Sequence, residues 1–229
     1  MRFRFEQKFL INSYTAAVLK DRVRRIMRPD SNSKEGSYIV NNLYFDDIYD
    51  SFYYAKQHGK LIRDKYRLRH YNNDLSYIRL ERKHKKGLQV SKVSVMVTEE
   101  QYGLCLAGDL SFIDHAQEGL WQNLGIIKRL RGLRTTAVFA YSREVYVYDP
   151  GTVRITFDSP PFGDGVYRND HLTLAYGENS YAPLLLEVKY TGFLPEIIKQ
   201  LLSGLLLTRT NMSKYCIARE RGLLPYGKI

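Results

Sequence analysis

Between Ile62 and Tyr71 the chain reads Ile-Arg-Asp-Lys-Tyr-Arg-Leu-Arg-His-Tyr, so Arg63, Lys65, Arg67 and Arg69 fall at every second position. On a strand that period sends all four side chains to one face. Like charges in register repel unless an anion compensates them, so the row asks for an anionic partner. The chemistry such cations serve best is phosphate binding and phosphoryl transfer, which needs in-line positioning and charge neutralisation more than covalent help. Guanidinium suits it because it is always charged and grips phosphate oxygens with two donors.

Other stretches repeat the pattern. Residues 3–11 set Arg4, Glu6 and Lys8 against Phe3, Phe5 and Phe9, and residues 75–85 set Arg79, Glu81, Lys83 and Lys85 against Ile78 and Leu80. Lys92, then Tyr141 and Arg143, then Arg154, Thr156 and Asp158 follow, and Glu187 and Lys189 alternate with Leu186, Val188 and Tyr190. A one-sided sheet could turn such faces to water, but a solvated face usually mixes signs and carries more Ser, Thr and Gln. Helices need the apolar faces to pack on. If they cover the outside, the charged faces point inward and line a polar tunnel, with carboxylates available to a metal.

The elements that must position these residues follow from periodicity and caps. A strand over 3–11 leads through Asn12-Ser13 into a helix ending near Met27, before Arg28-Pro29-Asp30. Strand 37–45 and a short helix over 49–56 come next. Strands 62–71 and 75–85 form a hairpin through Asn72-Asn73-Asp74, with a further strand over 89–97. Residues 99–107 and 113–132 read as helices. Strands 134–148 and 152–159 flank an Asp149-Pro150-Gly151 turn, and 160–180 reads as loop, Gly163-Asp-Gly165 included. Strand 183–190, a Pro195-initiated helix of about ten residues and a helix over 213–221 close the chain. Regular βαβ alternation is missing. The expected fold is α+β, an eight-stranded, mostly antiparallel closed β-barrel with peripheral helices, in one domain spanning 1–229.

Composition narrows the partners. The 229 residues are 44% hydrophobic with 19 tyrosines, enough for a sizeable core rich in strand formers. Net charge is +11, and between Lys60 and Lys92 eleven Lys/Arg stand against three Asp/Glu. Such a stretch suits nucleic acid, anionic lipid or a small polyanion. The run Arg82-Lys-His-Lys-Lys86 could touch nucleic-acid phosphates, but the aromatics form no RNA-reading motif. No stretch is long and apolar enough to span a bilayer and the N-terminus is no signal peptide. Cys105 and Cys216 lack metal-type spacing and read as reduced, buried thiols. A cytoplasmic protein is the expectation. Phosphate-loop, His-Glu-x-x-His, Gly-x-Ser-x-Gly and Cys-x-x-Cys motifs are all missing.

Taken in order, Arg4-Phe-Glu-Gln-Lys8, Asn42-Leu-Tyr-Phe-Asp46, Arg63–Tyr71, Leu80-Glu-Arg-Lys83, Lys92, Tyr141-Ser-Arg143, Val153–Asp158, Leu186-Glu-Val-Lys189 and Ser213-Lys214 resemble the VTC domain. This is the polyphosphate polymerase branch of the triphosphate tunnel, or CYTH-like, enzymes. A chain similar to the hydrolase branch would show Glu-x-Glu-x-Lys on its first strand. Arg4 replaces the first of those carboxylates here, which favours the polymerase branch.

The resemblance implies a tunnel that binds the phosphates of a nucleoside triphosphate such as ATP. Mn²⁺ or Mg²⁺ assists, and the γ-phosphate passes to a growing polyphosphate or to pyrophosphate. It implies catalytic roles for Arg67, Arg69, Lys8, Arg143 and Arg154. Substrate binding would fall to Arg63, Lys65, Lys83, Lys92, Tyr141, Lys189, Ser213 and Lys214. Glu187 is the first metal candidate, with Glu81 and Glu6 behind it; ion pairing inside a cationic site is the other role open to each. The acceptor is already an anion, so no general base is needed, and the histidines are expected at packing or surface positions. Nucleic acid is not an expected partner, and membrane coupling would require a separate protein. A hydrolase of triphosphate or short-chain polyphosphate and a non-catalytic polyphosphate-binding module remain the alternatives.

Overall fold

The computed structural model describes residues 4–33, 36–87, 89–160, 184–220 and 222. The expected loop at 160–180 lies almost wholly outside them. Ten strands and six α-helices follow one another along the chain. They are β1 (Arg4–Ile11), α1 (Ser13–Ile26), β2 (Arg28–Pro29), β3 (Ser37–Asp47), α2 (Ser51–Gln57), β4 (Ile62–Tyr71), β5 (Asp74–Lys86) and β6 (Gln89–Val97). Then come α3 (Glu99–Ala107), α4 (Gly119–Arg131), β7 (Leu133–Tyr148), β8 (Val153–Asp158), β9 (Leu184–Thr191), α5 (Glu196–Leu202), β10 (Thr208–Arg209) and α6 (Lys214–Glu220).

The chain divides into two compact units, one built from 1–39, 141–160 and 175–212, the other from 40–140, 161–174 and 213–229. In the first, the strand order is β10-β1-β9-β8-β7, with β2 also on β7; in the second it is β7-β3-β4-β5-β6. Neighbours β10 through β7 and β3 through β6 pair antiparallel. The sheet therefore has ten strands rather than eight and is not closed: among the described residues, β10 and β6 are its two edges. The physical reason is local. On its outer edge, among the described residues, β1 pairs with the two residues of β10 and the Thr210 amide, too short a stretch to carry the ladder onward.

In the first unit the apolar face of the sheet supplies Ile11, Val153, Ile155, Phe157, Leu186 and Val188. Helix α1 covers it with Ala16, Leu19 and Val23, and α5 with Ile198. Helix α1 starts cleanly because the Asn12 side chain accepts the Thr15 amide at 2.7 Å. In the second unit Leu43, Phe45, Tyr66, Leu68, Ile78, Leu80 and Val97 pack under Phe52 of α2, Tyr102 and Cys105 of α3, and Leu120 and Leu124 of α4. Helix α3 opens on a capping box between Thr98 and Gln101. Both cysteines are free and buried. Helices α1 and α5 in the first unit and α2, α3 and α4 in the second lie on the apolar face, as the alternating pattern requires.

Local departures have local causes. Asn72 and Asn73 both take positive φ, 49° and 59°, so the hairpin closes on two residues and β5 begins at Asp74. The expected helix over 113–132 splits into a 3₁₀ turn at Ser111–His115 and α4, because Glu118 is extended and Gly119 turns at φ 70°. After β7, Gly151 takes φ 71°, and a Cβ there would lie 2.7 Å from the Phe193 carbonyl oxygen, so only glycine fits. The Pro195 helix runs seven residues, ending at Ser203 with φ −71° and ψ 153°.

Candidate functional site

Opposite its helices, the first unit carries a charged face built from three adjacent cross-strand rows. Val145, Thr156, Glu187 and Lys8 stand side by side in register across β7, β8, β9 and β1. The next row holds Val147, Arg154, Lys189 and Glu6, and Arg143 stands opposite Asp158. Lys8 Nζ lies 3.2 Å from Glu187 Oε1 and 3.2 Å from Glu6 Oε1, while Lys189 Nζ donates to Glu187 Oε2 at 2.6 Å. Burial works against the Lys8 charge, but Glu187 and Glu6 outweigh it and raise the ammonium pKa above the ordinary value. Arg143 donates Nε and Nη2 to the two oxygens of Asp158, at 2.6 and 2.7 Å, and its guanidinium lies over the Tyr141 ring. Arg154 Nη2 is held by Asp30 at 2.8 Å and Tyr38 at 3.2 Å. The backbone of Arg4 pairs with Thr191; its side chain lies outside the described set.

The charged face of the second unit is less balanced. Arg63 stands directly opposite Lys85, Arg69 opposite Arg79, and Lys65, Lys83 and Lys92 form a row across β4, β5 and β6. One carboxylate on these strands, Glu81, faces them. It accepts Arg67 Nε at 2.8 Å and Nη2 at 2.6 Å and also pairs with Lys92. Burial would raise the Glu81 pKa, yet Arg67, Arg69 and Lys92 pull it down to about 2. Arg67 Nη1 donates to Tyr44 Oη at 2.9 Å, and Arg69 donates Nε and Nη2 to Asn42 Oδ1 at 3.0 and 2.9 Å. Buried Tyr44 would titrate high, but Arg67, Arg69 and Lys65 bring it down to about 8.

Helix α6 is tied to the same face. Lys65 Nζ donates to Ser213 Oγ at 2.7 Å and sits over the Tyr215 ring, which stacks on Tyr44 at 4.7 Å. Tyr215 Oη donates to Asp46 Oδ2 at 2.7 Å, and Asp46 also accepts the Phe52 and Tyr53 amides that open α2. This network seats Lys214 beside Ser213. Lys83 and Lys92 are exposed, whereas Arg67, Arg69 and Glu81 are largely covered. The basic run Arg82–Lys86 is split by strand geometry: Arg82 and His84 turn to the other face and share Asp64 at 2.8 and 2.9 Å.

The sequence-expected residues thus fall into two groups. Lys8, Glu6, Tyr141, Arg143, Arg154, Glu187 and Lys189 lie in the first unit; Arg63, Lys65, Arg67, Arg69, Glu81, Lys83, Lys92, Ser213 and Lys214 lie in the second. Sequence reading put Asp158 on the charged face but missed the other acceptors that orient the guanidiniums: Tyr44 and Asn42 on β3, and Asp30 and Tyr38. Tyr44 and Asn42 share the period-two face of β3 within Asn42-Leu-Tyr-Phe-Asp46, which was the available signal. Among the described residues no three His, Cys, Asp or Glu come together as a metal cluster. The donor set suits a hard cation held by one carboxylate with phosphate oxygens completing its shell, the arrangement Mg²⁺ accepts. Both candidate carboxylates are already engaged, Glu81 by Arg67 and Lys92 and Glu187 by Lys8 and Lys189, so a cation at either one has to displace a positive side chain.

A putative adenylate cyclase from Bacillus halodurans matches at TM-score 0.51 and 15% identity, over 91% of this chain and 95% of that one, a likeness of fold. The PH1819 protein of Pyrococcus horikoshii OT3 matches at TM-score 0.48 and 14% identity, covering 96% of this chain and 99% of that one. The comparison with curated proteins returns no match. No helix among the described residues is long and apolar enough to cross a membrane. The VTC domain family matches residues 3–221, the span that holds both charged faces, and the chain belongs to that family.

Proposed function

We propose that this protein is a metal-dependent polyphosphate polymerase, passing the γ-phosphate of a nucleoside triphosphate such as ATP to the end of a polyphosphate chain. The observation that carries this reading is the set of like-charged neighbours Arg63/Lys85, Arg69/Arg79 and Lys65/Lys83/Lys92, placed on the face turned away from α2, α3 and α4. Directly opposed like charges destabilise a sheet. A bound polyanion relieves that repulsion, and a phosphate chain spans several cations at once. Membership of the VTC family points to the same ligand class.

In this reading a terminal phosphate oxygen of the acceptor attacks the γ-phosphorus, the new P–O bond forms, and the bond to the nucleoside diphosphate breaks. The acceptor oxygen carries its own negative charge, so no side chain has to remove a proton. Arg67 and Arg143 arrive with their guanidiniums already fixed, by Glu81 and Tyr44 and by Asp158 respectively, so little ordering remains when they meet phosphate. In the second unit Arg69, Lys65 and Lys214 add positive charge beside Arg67, and in the first unit Arg154, Lys8 and Lys189 add it beside Arg143. Glu187 would hold the Mn²⁺ or Mg²⁺, which, when bound, neutralises phosphate charge.

The deciding experiment incubates purified protein with ATP and Mn²⁺ and resolves the products by gel. A ladder of phosphate chains is expected, lost in Glu187→Ala. Free phosphate without chains would select the hydrolase, and tight polyphosphate binding without turnover the binding module.

A further inference from the structure

Thr156 lies in the middle of the charged face of the first unit. Its side chain is completely buried, and its Oγ1 has no hydrogen-bond partner. Its in-register neighbours are Val145, which offers no polar atom, and Glu187, whose oxygens are taken by Lys8 and Lys189. Along its own strand the same face carries Arg154 and Asp158, and these are engaged with Asp30 and Tyr38 and with Arg143. Every charged neighbour of this hydroxyl is paired, and the hydroxyl is not.

A buried hydroxyl without a partner destabilises the folded state, and native proteins satisfy nearly all such groups. A valine has almost the same shape and would avoid the penalty. Where an unsatisfied group persists among charged side chains, the natural partner is a ligand that the resting state lacks. We propose that the Thr156 hydroxyl donates a hydrogen bond to a phosphate oxygen of the bound polyanion, at the row formed with Glu187 and Lys8. This rests on the phosphate-binding reading above and adds a neutral donor to a row whose other donor, Lys8, is a cation. In the resting state Lys8 and Lys189 bridge to Glu187. Phosphate competes with the carboxylate for those ammonium groups, and as they turn toward it the hydroxyl between the strands gains an acceptor. A neutral donor contributes geometry rather than charge: it favours an oxygen at one position, where lysines accept an anion over a wide range of positions.

The test uses the full chain, inorganic triphosphate as probe, titration calorimetry with EDTA present, and thermal melting of the same samples. Thr156→Val is expected to weaken triphosphate binding about ten- to hundredfold while melting at the same temperature as wild type or a few degrees higher. Thr156→Ser, which keeps the hydroxyl, is expected to bind within about threefold of wild type. Valine binding as tightly as wild type overturns this inference alone. So does a valine variant that melts several degrees lower or fails to fold, because the hydroxyl would then serve the fold. Wild-type protein that does not bind triphosphate overturns the functional reading and this inference together.

Discussion

Tyr44 Oη lies 2.9 Å from Nη1 of Arg67, on the side of the guanidinium that Glu81 leaves open. The phenol and the carboxylate together use three of the five guanidinium donors, fixing the plane of Arg67 before any ligand arrives. The proximity acts in both directions, since the cations around Tyr44 lower its pKa to about 8.

One tyrosine should therefore ionise about two pH units before ordinary tyrosines. Absorbance at 295 nm is expected to show a single-residue step near pH 8 that disappears in Tyr44→Phe. Above that pH the phenolate adds a negative charge beside Arg67, so triphosphate affinity should decline in wild type and hold level in the variant. An early step that survives in Tyr44→Phe would show that the titrating group lies elsewhere.

Glu187 is shared by Lys8 and Lys189, and neutralising it leaves two neighbouring ammonium groups without their main counter-charge. Both lysines keep some solvent contact, which moderates the cost. Glu187→Gln is expected to lose on the order of 2 kcal/mol in urea unfolding, and Lys8→Met added to it should recover part of that loss. Strictly additive effects of the two substitutions would argue against direct coupling.

How much of this was visible in the sequence differs from element to element. The alternation on residues 62–71 and 75–85 placed β4 and β5 almost to the residue, because one apolar face must be buried and a one-residue slip would turn every charge into the core. The same pattern put α1 to α5 on the apolar side, whereas α6 lies against the charged face. β2 and β10 were not legible: two residues carry no periodicity, and their pairing depends on which strand edge lies nearby. Closure was not legible either, since an edge strand and a barrel strand alternate alike.

Within the site, cations were easier to find than the groups that hold them. Arg67, Arg143 and Arg154 announce themselves by type and spacing. Tyr44, Asn42 and Asp30 matter through contacts made across long stretches of chain, and Tyr and Asn are ordinary strand or turn residues until the register is known. Glu81 and Glu187 were read first as metal candidates, and the structure adds what the sequence could not, the cations that already occupy their oxygens.

The β4–β5 turn gives a backbone test. Asn73 at φ 59° occupies the left-handed region, which asparagine tolerates and β-branched residues do not. Asn73→Val should lower stability by about 1–2 kcal/mol, whereas Asn73→Gly should stay within about 0.5 kcal/mol, both read from urea midpoints. Equal losses in the two variants would point instead to the Asn41 Nδ2 contact with the Asn73 side chain, which both remove.

His70 lies on the apolar face of β4, 1% exposed, with Nε2 3.3 Å from Tyr102 Oη and Nδ1 without a partner. Burial lowers its pKa to about 4; the charge of Asp74 works in the other direction but does not offset it. The unfolded chain takes up this proton near pH 6.5 and the folded chain only near pH 4. Between those values the unfolded state binds more protons, so stability rises with pH across that window and is lost as pH falls through it. The full effect is on the order of 3 kcal/mol. His70→Phe removes the titrating group, so its stability relative to wild type should improve steadily from pH 7 to pH 4.5, measured as urea midpoints at several pH values. Parallel pH curves for the two proteins would mean that His70 is already protonated in the fold, with Nδ1 donating to a partner.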